Sequence, residues 1–551
     1  MTLVFDAYRA ATSTHARTVA LLCLLSLGCF LPGFFTLAPV DRDEARFVQS
    51  TRQMVETGDY IDIRFQDETR YKKPVGIYWL QAASVNLSGQ GAHAPIWVYR
   101  IPSLLGAVAV VLLTYWTALA LVSRESAVLA AALTAALLLL GVEARLAKTD
   151  AVLCASIIAS IGVLARLHMR EDERHPFSLA AIFWIAGAAG ILVKGPIWLM
   201  VVGLTAAARS LAARSVSWLA PLRPVAGAAF LLAAVLPWLI AIMVISDGAF
   251  LRQSVGHDML GKVASAQESH GAPPGTYLGA FLITAWPMIA PMLLALGWIW
   301  RNRSLSAVMF LICWIVPAWI VFELVPTKLP HYVLPLYPGI AILAALALEK
   351  GGLLTGRFWT RLLLASGGAV LVYAPLIAFA LYAWFEGRVP AAGIVFWLLL
   401  LPAGVLAVRE GWRENAARAL IVTALAAPLF YLSIYEGALS RVTSVRLAER
   451  VADAIGQSVS CKHPTVMSAG YNEASLLFEL GTGTAFGTPD EAAAFLGQPG
   501  CRVALVTDAK REAFLLGIGK IGVDVIERAK VEGLNLGNAR PVSVHVYEIR
   551  S

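Results

Sequence analysis

Asp41-Arg42-Asp43-Glu44-Ala45-Arg46 follows directly on the first membrane-length apolar segment, residues 18 to 38, and five of its six residues are charged. Charge this dense at the end of an apolar segment has two physical explanations. One is an interfacial anchor, in which arginines snorkel toward lipid phosphates and the acids pair with them. The other is the rim of a polar cavity, with Asp43 and Glu44 as its carboxylates and Arg42 and Arg46 as cations for an anionic substrate. The choice depends on whether distant stretches deliver matching groups to the same side of the membrane.

Composition excludes a soluble chain. Of 551 residues 58% are hydrophobic and only 15% charged, which is the balance of a polytopic membrane protein. At roughly 20 apolar residues per crossing, about thirteen spans are predicted; they include 18 to 38, 125 to 142, 277 to 298 and 419 to 436. The net charge of +8 is spread over short loops instead of one patch with aromatic readers, so nucleic acid is not indicated. Arg124, Arg166, Arg209, Arg301, Arg357 and Arg413 all fall on one set of alternate loops, and the positive-inside rule makes that set cytoplasmic. The opposite set holds loops 39 to 97 and 246 to 276 and everything after about 437. An odd number of spans then puts the N-terminus inside and the tail outside. Residues 18 to 38 read as a retained helix, because no small-residue cleavage site follows them. Four cysteines lie in apolar spans, while Cys461 and Cys501 lie in the outside tail, where an oxidising compartment permits a disulfide.

Along the chain, residues 43 to 56 have the apolar spacing of an amphipathic helix lying on the outer membrane surface. Tyr71-Lys72-Lys73-Pro74 sets two adjacent cations beside a tyrosine; it suits either a solvated turn or phosphate binding. Asp150 closes the short outside loop that begins at Glu143, as a helix N-cap or as a group at the depth of Asp43. Lys194-Gly195-Pro196 turns between two spans and holds an ammonium near the same side. His257 and His270 are too widely spaced to form a ligand signature. Between Pro326 and Pro338 four prolines in thirteen residues prevent a regular helix. Irregular backbone at membrane depth is tolerated where it lines a cavity, so Lys328, His331 and Tyr332 are candidate lining residues.

From about 440 the pattern turns soluble. A helix over 444 to 456, strands over 465 to 469, 503 to 507 and 542 to 549, and intervening helices predict a small α/β domain over 441 to 551. Gly517-Ile-Gly519-Lys-Ile-Gly522 matches a dinucleotide motif by letter but follows a helical segment, so it fails its context.

Asp43-Glu44-Ala45-Arg46, Lys73-Pro74 with Tyr78-Trp79, Lys194-Gly195-Pro196 and Lys328-Leu-Pro-His-Tyr-Val-Leu-Pro-Leu-Tyr-Pro338 together resemble the bacterial protein-mannosyltransferase-type glycosyltransferases of the GT-C fold. Within them the chain looks most like the aminoarabinose transferases that modify lipid A. The resemblance implies a mostly α, polytopic membrane fold over 1 to 440 with an active site and C-terminal domain in the periplasm of the inner membrane. It implies inverting transfer of 4-amino-4-deoxy-L-arabinose from undecaprenyl phosphate to a lipid A phosphate, and with it resistance to polymyxin and other cationic peptides. On that basis Asp43, Glu44 and Asp150 are the catalytic candidates. Arg46, Tyr71, Lys73, Lys194, Lys328, His331 and Tyr332 are the candidates for binding donor and acceptor phosphates. No cofactor is implied, and a divalent metal is left open. Two alternatives remain: a sister transferase acting from a polyprenyl-phosphate sugar onto protein hydroxyls, for which Asp43 would be a true base, and a lipid or sugar transporter.

Overall fold

Once water is excluded, every backbone amide must be satisfied within the segment, so the long apolar runs fold as helices. In the computed structural model, which describes residues 2–40, 43–169, 177–261, 271–461, 463–537 and 540–550, these helices form a bundle with a small sheet domain seated at one end. Among the described residues nine helices are long and apolar enough to cross a membrane, from Ile96–Ala118 to Ala416–Arg441. Three shorter apolar helices, His15–Phe30, Ile197–Ala213 and Ile289–Arg301, accompany them.

The predicted count of about thirteen continuous spans is not reproduced, and two breaks account for part of the difference. The segment predicted at 125 to 142 divides into Arg124–Ala135 and Leu138–Glu143. The segment predicted at 277 to 298 divides into Thr276–Thr284 and Ile289–Arg301, with Pro287 between them unable to donate a helical hydrogen bond. The breaks face each other: the Leu138 amide donates to the Trp286 carbonyl at 3.2 Å. Hydropathy sees only apolar length and cannot see an amide satisfied by a neighbouring segment.

The helix Asp43–Thr57 corrects a second expectation. It is not laid on a membrane surface, because Gln49, Ser50, Thr51 and Arg52 are buried along with its apolar residues. Instead it is clamped between the bundle and the C-terminal domain. Arg52 Nη1 donates to the Phe478 carbonyl at 2.6 Å, Gln49 Nε2 to Thr482 Oγ1 at 2.7 Å, and Gln66 Nε2 to the Thr484 carbonyl at 2.6 Å. Gln66 belongs to the turn of a hairpin of β1 (Arg64–Phe65) and β2 (Glu68–Thr69).

The C-terminal sheet runs β4-β3-β5-β7-β6, from β3 (Thr465–Ala469), β4 (Ala485–Phe486), β5 (Arg502–Thr507), β6 (Val525–Asn535) and β7 (Arg540–Ile549). Along β5, Val503 and Leu505 pack toward helix Leu447–Ser458, and Ala504 and Val506 toward helices Pro489–Leu496 and Asp508–Ile521. Burial on both faces explains why this strand reads as an unbroken apolar run. Strand β6 was not predicted from sequence: its residues are mostly half-buried, and charges interrupt the alternation. The glycine motif at 517 to 522 closes helix Asp508–Ile521, with Gly522 as its left-handed C-cap at φ 69, which is the C-terminal signal of a helix and no phosphate cradle. Cys461 and Cys501 form a disulfide.

Near Arg52, burial and after it the charge of Glu449 push the Glu479 carboxyl up to about 7 from an ordinary 4.5. Between those values the folded protein holds a proton that the unfolded chain has released, so stability falls as pH rises through that window, by at most about 3 kcal/mol. Thermal melts in detergent are therefore expected to report a more stable C-terminal domain at about pH 5 than at about pH 8. Glu479→Gln should flatten that dependence.

Candidate functional site

The short loop 144–149 is held by hydrogen bonds to other elements, three of which fix its backbone close to Asp150. The Ala147 amide donates to Glu44 Oε1 at 2.8 Å, Gln81 Nε2 to the Ala147 carbonyl at 3.0 Å, and Ser103 Oγ to the Lys148 carbonyl at 3.1 Å. Thr51 on helix Asp43–Thr57 donates in turn to Gln81 Oε1 at 2.6 Å. Helix Gly76–Ser88 lies so close to helix Phe177–Lys194 that a Cβ at Gly76 would stand 2.7 Å from the Leu192 carbonyl group, so only glycine permits this approach. These contacts bring together Asp43 at the start of one helix, Lys73 just before another, Asp150 at the start of a third and Lys194 at the end of a fourth. An anion at a helix N-terminus and a cation at a C-terminus are each favoured by the helix dipole.

Between them is a cavity that opens to solvent. Asp43, Lys73, Asp150, Lys194, His331 and Tyr332 all line it, so six of the sequence candidates, separated by up to 289 residues, meet in one place. Lys73 Nζ donates to Asp258 Oδ2 at 2.5 Å. Lys194 Nζ donates to Asp150 and lies 5.3 Å from the centre of the Tyr332 ring. Lys148 Nζ donates to Glu143 Oε1 at 3.1 Å and stands 4.0 Å from Asp150. Burial alone would lower the Lys148 ammonium, but Glu143 and then Asp150 outweigh that and hold it above the ordinary lysine value, so it stays charged. Asp150 and Asp258 in the cavity wall, and Glu143 behind it, thus have ammonium partners. Asp43 has no ion pair among the described residues and is exposed to the cavity.

His331 stands 3.7 Å from both Glu143 and Asp150, and one ligand atom from each of the three lies within 4.8 Å of the others. That spacing suits a divalent ion, but Lys148 and Lys194 already supply the positive charge that these acids face.

Four sequence candidates do not reach the cavity. Glu44 is 1% exposed and accepts Arg100 Nε at 2.8 Å and Arg100 Nη2 at 3.0 Å, with the amides of Val40 and Ala147 completing its shell. It anchors the loop and has no lone pair directed at a substrate. Arg46 is not among the lining residues: at about 100° per residue it stands about 60° to one side of Asp43 on the helix, whereas Phe47, which does line the cavity, stands about 40° to the other. Tyr71 is buried and donates to Asp62 Oδ1 at 2.7 Å. Lys328 donates to the carbonyls of Glu323 at 2.8 Å and Val325 at 2.6 Å, closing the C-terminal end of helix Ser306–Leu324. Arg42 and His270 lie outside the described residues.

Arg70, Glu143, Lys148 and Asp258 were not singled out from sequence. Arg70, Lys148 and Asp258 line the cavity, and Glu143 pairs with Lys148 behind it. The signal for Lys148 was its place two residues before Asp150 in a loop too short to point elsewhere; for Arg70 and Asp258 no local signal exists.

Residues 15–246 match the model of the dolichyl-phosphate-mannose-protein mannosyltransferase family. An undecaprenyl phosphate-alpha-4-amino-4-deoxy-L-arabinose arabinosyl transferase of Erwinia tasmaniensis is 27% identical over 393 residues, spanning 68% of this chain and 69% of that protein. Its namesake from Edwardsiella ictaluri is 28% identical over 424 residues, spanning 74% and 75%. The crystal structure of ArnT from Cupriavidus metallidurans bound to undecaprenyl phosphate shares the fold with a TM-score of 0.77 over 97% of this chain and 98% of that one, at 17% identity. The apo form of that protein gives a TM-score of 0.75 at 18% identity.

Proposed function

We propose that this chain, which has the GT-C fold of ArnT and resembles the bacterial aminoarabinose transferases in sequence, moves 4-amino-4-deoxy-L-arabinose from undecaprenyl phosphate to a phosphate of lipid A. It is a multi-pass membrane glycosyltransferase with a polyprenyl-phosphate donor. The observation that carries the reading is the convergence of Asp43, Lys73, Asp150, Lys194 and Tyr332 on one cavity at the end of a membrane bundle. A lipid-linked donor presents its sugar at such a position and requires no nucleotide-binding fold, in keeping with the failed glycine motif.

In the proposed reaction an oxygen of the acceptor phosphate attacks the anomeric carbon, and the bond from that carbon to the donor phosphate breaks with inversion. The electron pair leaves with undecaprenyl phosphate, whose charge grows as the bond opens, and preorganised cations stabilise such a transition state. Lys73, released from Asp258, meets that charge, and Tyr332 donates a hydrogen bond to it. Asp43 orients the acceptor or holds the sugar's ammonium, since an ionised phosphate needs little deprotonation. Lys194, balanced by Asp150, faces the acceptor phosphate.

The active face is periplasmic in this reading. The Cys461–Cys501 disulfide supports it, because disulfides persist outside the reducing cytoplasm. So does the docking of the disulfide-bearing domain beside the cavity. Adding a cationic sugar lowers the negative charge of lipid A, the physical basis for resistance to polymyxin. Mass spectrometry of lipid A from cells with and without the gene tests the proposal: the aminoarabinose adduct should disappear with the gene, and its persistence would refute the assignment.

A further inference from the structure

Arg70 is only 9% exposed, lines the cavity and has no ion pair among the described residues. Its Nε has no hydrogen-bond partner among the described residues. Three of the cavity's lysines are matched: Lys73 with Asp258, Lys148 with Glu143 and Lys194 with Asp150. What surrounds the guanidinium is weaker. Its central carbon lies 5.2 Å from the centre of the Phe47 ring, and the neutral Tyr78 hydroxyl lies within range of its charge. An aromatic face and a phenol compensate a buried cation only in part. A guanidinium removed from water without an anion is held at a cost that an arriving anion repays. The fold fixes it there regardless, since the Arg70 amide donates to the Ile63 carbonyl at 2.8 Å and the Arg70 carbonyl accepts from Lys72 at 3.0 Å.

We infer that Arg70 is a phosphate receptor, the guanidinium of this cavity in place of Arg46. Its planar fork matches the geometry of two phosphate oxygens, which a lysine meets only as a point charge. The inference rests on the proposed reading only for which lipids bring the phosphate, because donor and acceptor each carry one. No bond is made or broken by Arg70; it binds and orients.

The test uses the full-length protein in nanodiscs and measures two constants for wild type, Arg70→Gln and Arg70→Lys: the Kd for undecaprenyl phosphate and the KM for lipid A. Arg70→Gln is expected to raise one of them by about tenfold or more. A rise in the first identifies the donor's phosphate, and a rise in the second with the first intact identifies the acceptor's. Arg70→Lys should recover part of the loss, because it restores charge without the fork. A folded Arg70→Gln protein with both constants unchanged overturns the inference, as does a loss that Arg70→Lys does not recover at all. If Arg70→Gln does not fold, Arg70→Lys decides alone: weakened, salt-sensitive binding supports the inference, and unchanged constants end it. Wild-type protein that binds lipid A through Arg70 but no undecaprenyl phosphate would sink the donor assignment and leave this inference standing.

Discussion

Asp43→Asn is expected to leave a folded, membrane-inserted protein whose sugar transfer falls by about 10²- to 10⁴-fold. The two halves of that expectation have separate causes. Folding is spared because the Asp43 carboxylate has no ion pair among the described residues, so neutralising it strands no buried cation; asparagine also keeps the shape. Asp150, Asp258 and Glu143 differ in this respect, since each balances a lysine. Transfer is lost because the cavity's uncommitted negative charge sits on Asp43, and an amide can neither accept a proton nor hold an ammonium ion. Single-turnover transfer from the donor lipid, measured beside a thermal melt in detergent, separates the two. Wild-type turnover in the variant would remove Asp43 from the mechanism.

One residue along, the expected result inverts. Arg100→Ala should cost about 3–5 kcal/mol, the range for breaking a buried ion pair from one side, and so abolish the folded protein at ordinary expression temperatures. Arg100 is fully buried, and its side chain donates to both Glu44 oxygens and to the carbonyls of Phe34, Leu37 and Ala38. Alanine leaves those three carbonyls without the guanidinium and the Glu44 carboxylate with two backbone amides but no counterion. The double variant Arg100→Met with Glu44→Gln removes both charges and should recover part of the loss. Yield of monodisperse protein and melting temperature are the measurements. A stable Arg100→Ala protein would show that Glu44 is not the anchor of the loop that carries Lys148 and Asp150.

The contrast between Asp43 and Glu44 marks the limit of what could be read from residues. Both are acids in the same charged run after the first apolar segment, and nothing local distinguishes them. On a helix they point about 100° apart: one opens to the cavity, and the other turns inward to Arg100, 56 residues away in sequence. Tyr71 and Lys73, and likewise Lys328 and Tyr332, divide in the same way. Each motif was legible as a motif, and each contains one residue that faces the cavity beside another that holds the backbone in place.

The membrane class, the helical bundle, the appended α/β domain and the segments that meet at the site were determined by the sequence alone, because apolar length, period and proline content act locally. Orientation within each segment and pairing between segments were decided only by the tertiary structure. Whether a carboxylate is free or spent depends on a cation far off in the chain, 185 residues away for Asp258 and Lys73. The broken spans obey the same physics: the amide freed at Leu138 is satisfied by a carbonyl at Trp286, and no window of sequence contains both.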